Sequence, residues 1–203
     1  MSGSKEKFNL WFSSGLAIGY LTAIEVLDGF SEEWGFSPYD FAANIGGAAL
    51  FTIQQVKWKE QKITLKYSYS KSKYTKYRPD LLGNNFAENL IKDYNGQTYW
   101  LSANISSFTK SENILPNWLN IAIGYSADGM VGGKNNDLYN TTSIPEFKRT
   151  RQFYLSPDID FSKIKTNKKT VKIFFNILNI LKIPAPTIEI NQHGAILLHP
   201  VYF

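Results

Sequence analysis

The chain of 203 residues contains no cysteine. Disulfides, thiolate nucleophiles and thiolate metal sites are therefore excluded. An acylated N-terminal cysteine would need a residue this chain lacks. Histidine is almost as scarce, with only His193 and His199, both near the C-terminus. Charged residues make up 19% of the chain, below the roughly 25% of an ordinary soluble domain. No repeat of fixed period and no low-complexity tract is present. No Gly-x-Ser-x-Gly elbow occurs. Gly132-Gly133-Lys134 lacks the spacing and the Ser/Thr of a phosphate loop and reads as a turn.

What is abundant is aromatic. Phe, Trp and Tyr account for 15% of residues, with 12 Tyr and 14 Phe. That composition suits a protein with much apolar surface and many rings at an interface. It also argues against disorder, because such a chain can bury enough to offset its ordering entropy. The net charge is +5. It fits a solvated basic face or attraction to anionic headgroups. No nucleic-acid recognition signature accompanies it, so nucleic acid is not expected as a partner. Met1-Ser2-Gly3-Ser4 resembles a cloning remnant. The apolar run from Phe8 imitates a signal peptide but no small-residue cleavage site follows. We expect native N-terminal sequence to be missing from the chain.

Two helices are expected first. From Phe8 to Leu27 the only charged residue is Glu25. Residues 8–28 thus read as a helix near the ~20 residues that cross a bilayer, or as a buried helix of a bundle. Asp28-Gly29 closes it. Ser37-Pro38-Tyr39-Asp40 opens a second helix, with Ser37 as N-cap, Pro38 as first helical residue and Asp40 as capping acid. It runs to about Lys57. Ala42 with Gly46, and Ala43 with Gly47, are small-xxx-small pairs that allow close helix contact. A tight helical hairpin follows from this.

The pattern then turns to β. Ile63 to Tyr69 alternates as a strand. A basic loop spans Lys71 to Arg78, and Asn84 to Tyr94 reads as a short amphipathic helix. Tyr99, Leu101, Ala103 and Ile105 share one face, opposite Ser102, Asn104 and Ser106. Leu119, Ile121, Ile123 and Tyr125 repeat that arrangement, as do Phe153, Leu155, Ile159 and Phe161. The alternation fits a lipid-facing barrel wall and equally a half-buried soluble sheet. Val171 to Ile183 reads as an amphipathic helix after a lysine-rich stretch, suited to a membrane surface or to covering a sheet edge. Thr187–Asn191 and Ala195–Phe203 are the last strands. The terminal Phe203 resembles the ending of outer-membrane barrels, although His199 interrupts the apolar face. About six strands are legible, fewer than the ~8 of the smallest closed membrane barrel.

The sharpest candidate site is acidic. Glu25 and Asp28 share a face of the first helix, and Asp40 and Asn44 share a face of the second. A tight hairpin could bring these oxygens together in an apolar setting, where ionisable groups need partners. Close carboxylates could then perform general acid–base work or bind a hard cation. The plain reading is also available: Asp40 caps, Asp28 sits at a helix end, and Asn44 bridges helices. His193 reads as a turn residue and His199 as a strand residue.

Several runs carry a family resemblance. These are Gly19-Tyr20-Leu21-Thr22-Ala23-Ile24-Glu25-Val26-Leu27-Asp28-Gly29-Phe30, Trp34-Gly35-Phe36-Ser37-Pro38-Tyr39-Asp40 and Ala43-Asn44-Ile45-Gly46-Gly47. They resemble the YfiM-like family of predicted periplasmic lipoproteins of unknown function, in its longer Bacteroidetes-type version. Asp93 to Leu101, Arg151 to Leu155 and Ile183 to Thr187 resemble the same relatives. The acid–acid followed by Asp-x-x-x-Asn-x-x-Gly is more distantly similar to VanZ-like membrane proteins. The resemblance implies an envelope location and no particular activity. An Asp-Lys…His motif on an earlier helix of those relatives is missing here.

The expectation is an α+β chain. Residues 1–60 form a helical hairpin, membrane-associated or buried. Residues 61–203 form an antiparallel β region, a barrel or a strongly curved sheet, with amphipathic helices. The expected role is a non-enzymatic envelope protein at the cell outer membrane or its periplasmic face, structural or accessory to an outer-membrane assembly. Its partners would be lipid or lipopolysaccharide and other outer-membrane proteins. The alternative is a membrane-embedded hydrolase or acyltransferase working through Glu25, Asp28, Asp40 and Asn44 on lipid or glycan. No cofactor or metal is assigned.

Overall fold

A computed structural model of the chain describes residues 3–28, 37–108, 115–133, 135–136 and 145–203. It divides into two compact units, Met1–Lys62 and Ile63–Phe203.

The first unit holds α1 (Gly3–Asp28) and α2 (Pro38–Trp58). The first helix starts earlier than its apolar pattern, because Ser4-Lys5-Glu6-Lys7 contains good helix formers. The Ser37 hydroxyl accepts the Asp40 N–H at 3.2 Å, and Pro38 opens the first turn of α2. Lys59 ends the helix in the left-handed region, at φ 56°. The helices meet through Ser14 and Thr52, whose buried hydroxyls lie 2.8 Å apart. Thr52 also donates to the Ala48 carbonyl at 2.7 Å. Among the described residues no helix is long and apolar enough to cross a membrane.

The second unit is built on β1 (Ile63–Tyr69), β2 (Gln97–Asn104), β3 (Leu119–Asp128), β4 (Thr150–Ile159), β5 (Ala185–Asn191) and β6 (Ile196–Tyr202). Each strand pairs antiparallel with the next in the chain, giving one six-stranded meander. The sheet is not closed into a barrel, which corrects that half of the expectation. The reason is in the pairing. The outer edge of β1 receives only a short parallel patch, where the Tyr67 N–H bonds Ile180 and the Lys182 N–H bonds Tyr67, both at 2.9 Å. The strand β6 pairs with β5 alone.

Three helices attach to this unit among the described residues: α3 (Pro79–Leu82), α4 (Phe86–Lys92) and α5 (Lys169–Leu178). Asn85 caps α4 by accepting the Glu88 N–H at 3.0 Å. The helix α5 stops sooner than its apolar pattern, because Ile180 to Lys182 is used to pair with β1. Its end is pinned by Asn179, whose Oδ1 accepts the Phe161 N–H at 2.9 Å. Phe161 and Phe175 pack with ring centroids 5.9 Å apart. On another side Ile173, Phe174 and Ile177 are exposed.

Candidate functional site

Period-2 alternation leaves two choices for which face turns inward. In this sheet the polar face is the buried one. Ser102, Asn104, Asn120, Ser126, Ser156 and Asp158 are all buried, and the interior aromatics Trp100 and Tyr154 sit among them. Their apolar neighbours point out. Leu101 is 47% exposed and Ile123 is 61% exposed, while Trp100 between strands is 1% exposed.

The register turns these outward residues into continuous rows. One row runs Leu65, Leu101, Ile123, Leu155, Ile188, Leu198, directly opposite one another across all six strands. The next outward row runs Tyr67, Tyr99, Tyr125, Phe153, Ile190, Ile196. An aliphatic band thus borders a band that begins with four rings. Tyr67 and Tyr99 meet edge-on at 5.8 Å, and Tyr125 and Phe153 lie 5.5 Å apart. Both rows are exposed apart from the half-buried Tyr67.

The interior is organised by charge and hydrogen bonds. Lys66 donates to Asp158 at 2.8 Å and to the Ile159 carbonyl at 2.6 Å. Ser102 donates to the same Asp158 oxygen at 2.6 Å. Asn120 donates to Ser102 and Asn104 donates to Asn120, both at 2.8 Å. Lys182 donates to the Ile183 carbonyl at 2.8 Å and lies 5.0 Å over the Trp100 ring. A low-dielectric interior tolerates such groups only when they are paired in this way. Farther along, Glu189 and His199 Nε2 are 2.7 Å apart, and Gln152 donates to the other Glu189 oxygen at 2.8 Å. These side chains border an open cleft of about 330 Å³ that also meets Tyr154, Tyr202 and the Ser70–Tyr74 segment. In that segment burial pushes the Tyr74 phenol above its usual range, and its 2.8 Å bond to Asp128 adds to the shift.

The acidic candidates fall in the helical unit. Glu25 is buried on α1 and Asn44 is half-buried on α2. Asp40 is exposed in the first turn of α2. The Asp28 side chain lies outside the described residues. No hydrogen bond or ion pair joins Glu25, Asp40 and Asn44 among the described residues. Among the described residues no group of three His, Asp or Glu is placed to hold a metal ion.

The charged interior was missed by sequence reasoning. Its signal was present: Lys66 breaks an otherwise apolar and hydroxyl-bearing strand, and Asp158 and Glu189 occupy single alternate positions of theirs. His199 does belong to a strand, and it also pairs with Glu189. Among the described residues no hydroxyl donates to His199, so a serine–histidine arrangement is not formed there.

The fold and site together define a class: an open antiparallel meander with a charged interior and an apolar exterior. Comparison with family models, with curated proteins and with solved structures finds no match.

Proposed function

We propose that the chain is a non-enzymatic structural or accessory protein of a bacterial envelope, with the outer face of its sheet against the apolar layer of the outer membrane. One observation carries the reading: apolar rows face outward across the whole sheet while the ion pairs are inside. Water-soluble proteins rarely expose so large a contiguous apolar patch. Outer-membrane β proteins alternate apolar-out and polar-in, with rings at the rim. On β3 the outward residues from Leu119 to Tyr125 run about 20 Å at ~3.4 Å per residue, near the ~25 Å apolar band of such proteins. The YfiM-like motifs support the same location. Lysines 163, 165, 168, 169 and 172, beside the exposed Phe174 and Ile177, suit an anionic headgroup layer. The acid-cluster hydrolase or acyltransferase has less support, since Asp40 is exposed and its backbone N–H, not its carboxylate, meets the Ser37 cap.

Fractionation of expressing cells tests the proposal. The protein should stay in the membrane pellet through an alkaline carbonate wash and leave it only with detergent. A monomer that remains in solution without detergent overturns the reading.

A further inference from the structure

The ladder between β4 and β5 stops abruptly. It pairs Gln152 with Asn191 through Leu155 with Ile188, and no further. Beyond that point β4 continues beside β3, with Pro157 opposite Ile121. The start of β5 stays beside β6, with Ala185 opposite Tyr202.

Two prolines explain the stop. Continuing the register would set Pro157 directly opposite Pro186. The direction of each backbone N–H follows from its neighbours. The Asp160 N–H bonds the Trp118 carbonyl, so even-numbered residues of β4 point at β3 and odd-numbered ones at β5. The Gln192 N–H bonds the Arg151 carbonyl, so even-numbered residues of β5 point at β4. Pro157 and Pro186 therefore lack the two N–H groups that would close the seam. The Ser156 hydroxyl lies 3.0 Å from the Pro157 carbonyl oxygen and 3.2 Å from that of Pro186, serving the acceptors left over.

A groove of about 390 Å³ opens on this seam, within the ~300–1,000 Å³ range of small-molecule sites. Ile121, Leu155, Ile188 and Leu198 form its walls. Ser156 and Thr187, each 1% exposed, lie at its floor. No charged side chain lines it among the described residues. Leu155, Ile188 and Leu198 belong to the first outward row and Ile121, 43% exposed, points out two residues from it, so the groove is a recess in that surface. Ile105 also lines it, and two residues on Ser107 lies 3.4 Å from Lys163 Nζ. Lys163 begins a stretch through Lys172 with five lysines and no acid.

We propose that this seam holds one fatty acyl chain of an anionic phospholipid, with the phosphate toward the lysine-rich stretch. The inference rests on the lipid-facing reading of the sheet. An uncharged, aliphatic recess suits a hydrocarbon chain, and the neighbouring lysines suit a phosphate.

The test uses the full chain in phosphatidylcholine vesicles, with a trace of doxyl-labelled phosphatidylglycerol read by electron paramagnetic resonance. The expected result is a saturable, strongly immobilised component of one probe per chain. Ile188→Trp, which fills the groove, should weaken retention about tenfold or more. Leu65→Trp, on the outer face of β1 and outside the groove lining, should leave it unchanged. Pro157→Val with Pro186→Val, which restores both seam donors, should also weaken it. No saturable component, or equal loss in both tryptophan variants, overturns the proposal. Equal retention of doxyl-labelled phosphatidylcholine overturns the assignment to an anionic lipid. Retention of a soluble apolar dye but not of the lipid probe overturns it as well. A chain that fails to enter vesicles at all instead defeats the lipid-facing reading.

Discussion

Lys66 and Asp158 come from strands at opposite ends of a four-strand run, yet their charged atoms lie 2.8 Å apart with both side chains fully shielded from solvent. The pair joins β1 to β4 across the inside of the curved sheet, without any backbone ladder between them. Curvature of the sheet is what makes the contact geometrically possible.

Removing one partner should expose the cost of an isolated buried charge. Lys66→Met leaves Asp158 with only the Ser102 hydroxyl as a donor, and a loss of about 3–5 kcal/mol is expected. Lys66→Met combined with Asp158→Leu should recover part of that loss, because the carboxylate is gone, while the buried Lys182 loses the Asp158 charge that favours its protonated form. Equilibrium unfolding of the detergent-solubilised protein in urea measures both. Equal stability of the single variant and the parent would show that the pair does not organise the interior.

The outer face makes an opposite prediction. Ile123 is 61% exposed. On a water-facing surface, Ile123→Lys should change stability by no more than about 0.5 kcal/mol. Against lipid near the middle of the apolar band, the same change should cost about 2–4 kcal/mol. Unfolding from phosphatidylcholine vesicles separates the two values. A neutral result would place this face in water.

Gly124 has a packing role that its strand position conceals. A Cβ built there would lie 2.7 Å from Trp100 Cε3 and Cζ3. The indole is fixed from its other end by a 2.9 Å bond from Nε1 to Ser68. Gly124→Ala should therefore cost about 1–3 kcal/mol through overpacking. Adding Trp100→Phe should relieve part of it, giving a positive coupling in a double-mutant cycle. Strict additivity of the two changes would contradict the contact.

Much of the fold could be read from the chain. Ser37-Pro38 marks the start of α2, and each of the six strands overlaps a segment of alternating residues. The helix α5 was legible but too long, because pairing of Ile180 to Lys182 with β1 is a long-range event with no local signature. The site was far less legible. Spacing along the chain singles out the acids of two helices, where i,i+3 and i,i+4 geometry can be counted. The interior network joins residues from separate strands, such as Lys66 with Asp158 and Gln152 with Glu189. No spacing rule links those positions before the register is known.

By itself, the sequence determined the local structure: which segments extend as strands, which residues alternate, and where proline withholds a donor. Period-2 alternation is symmetric, however, and assigns no face to the inside. The tertiary structure decided that, by aligning Leu65, Leu101, Ile123, Leu155, Ile188 and Leu198 into one outward row and closing Lys66 on Asp158 behind it. The physical reason is that an ion pair gains its full attraction only where neighbouring strands exclude water, and that enclosure exists only after the sheet has curved.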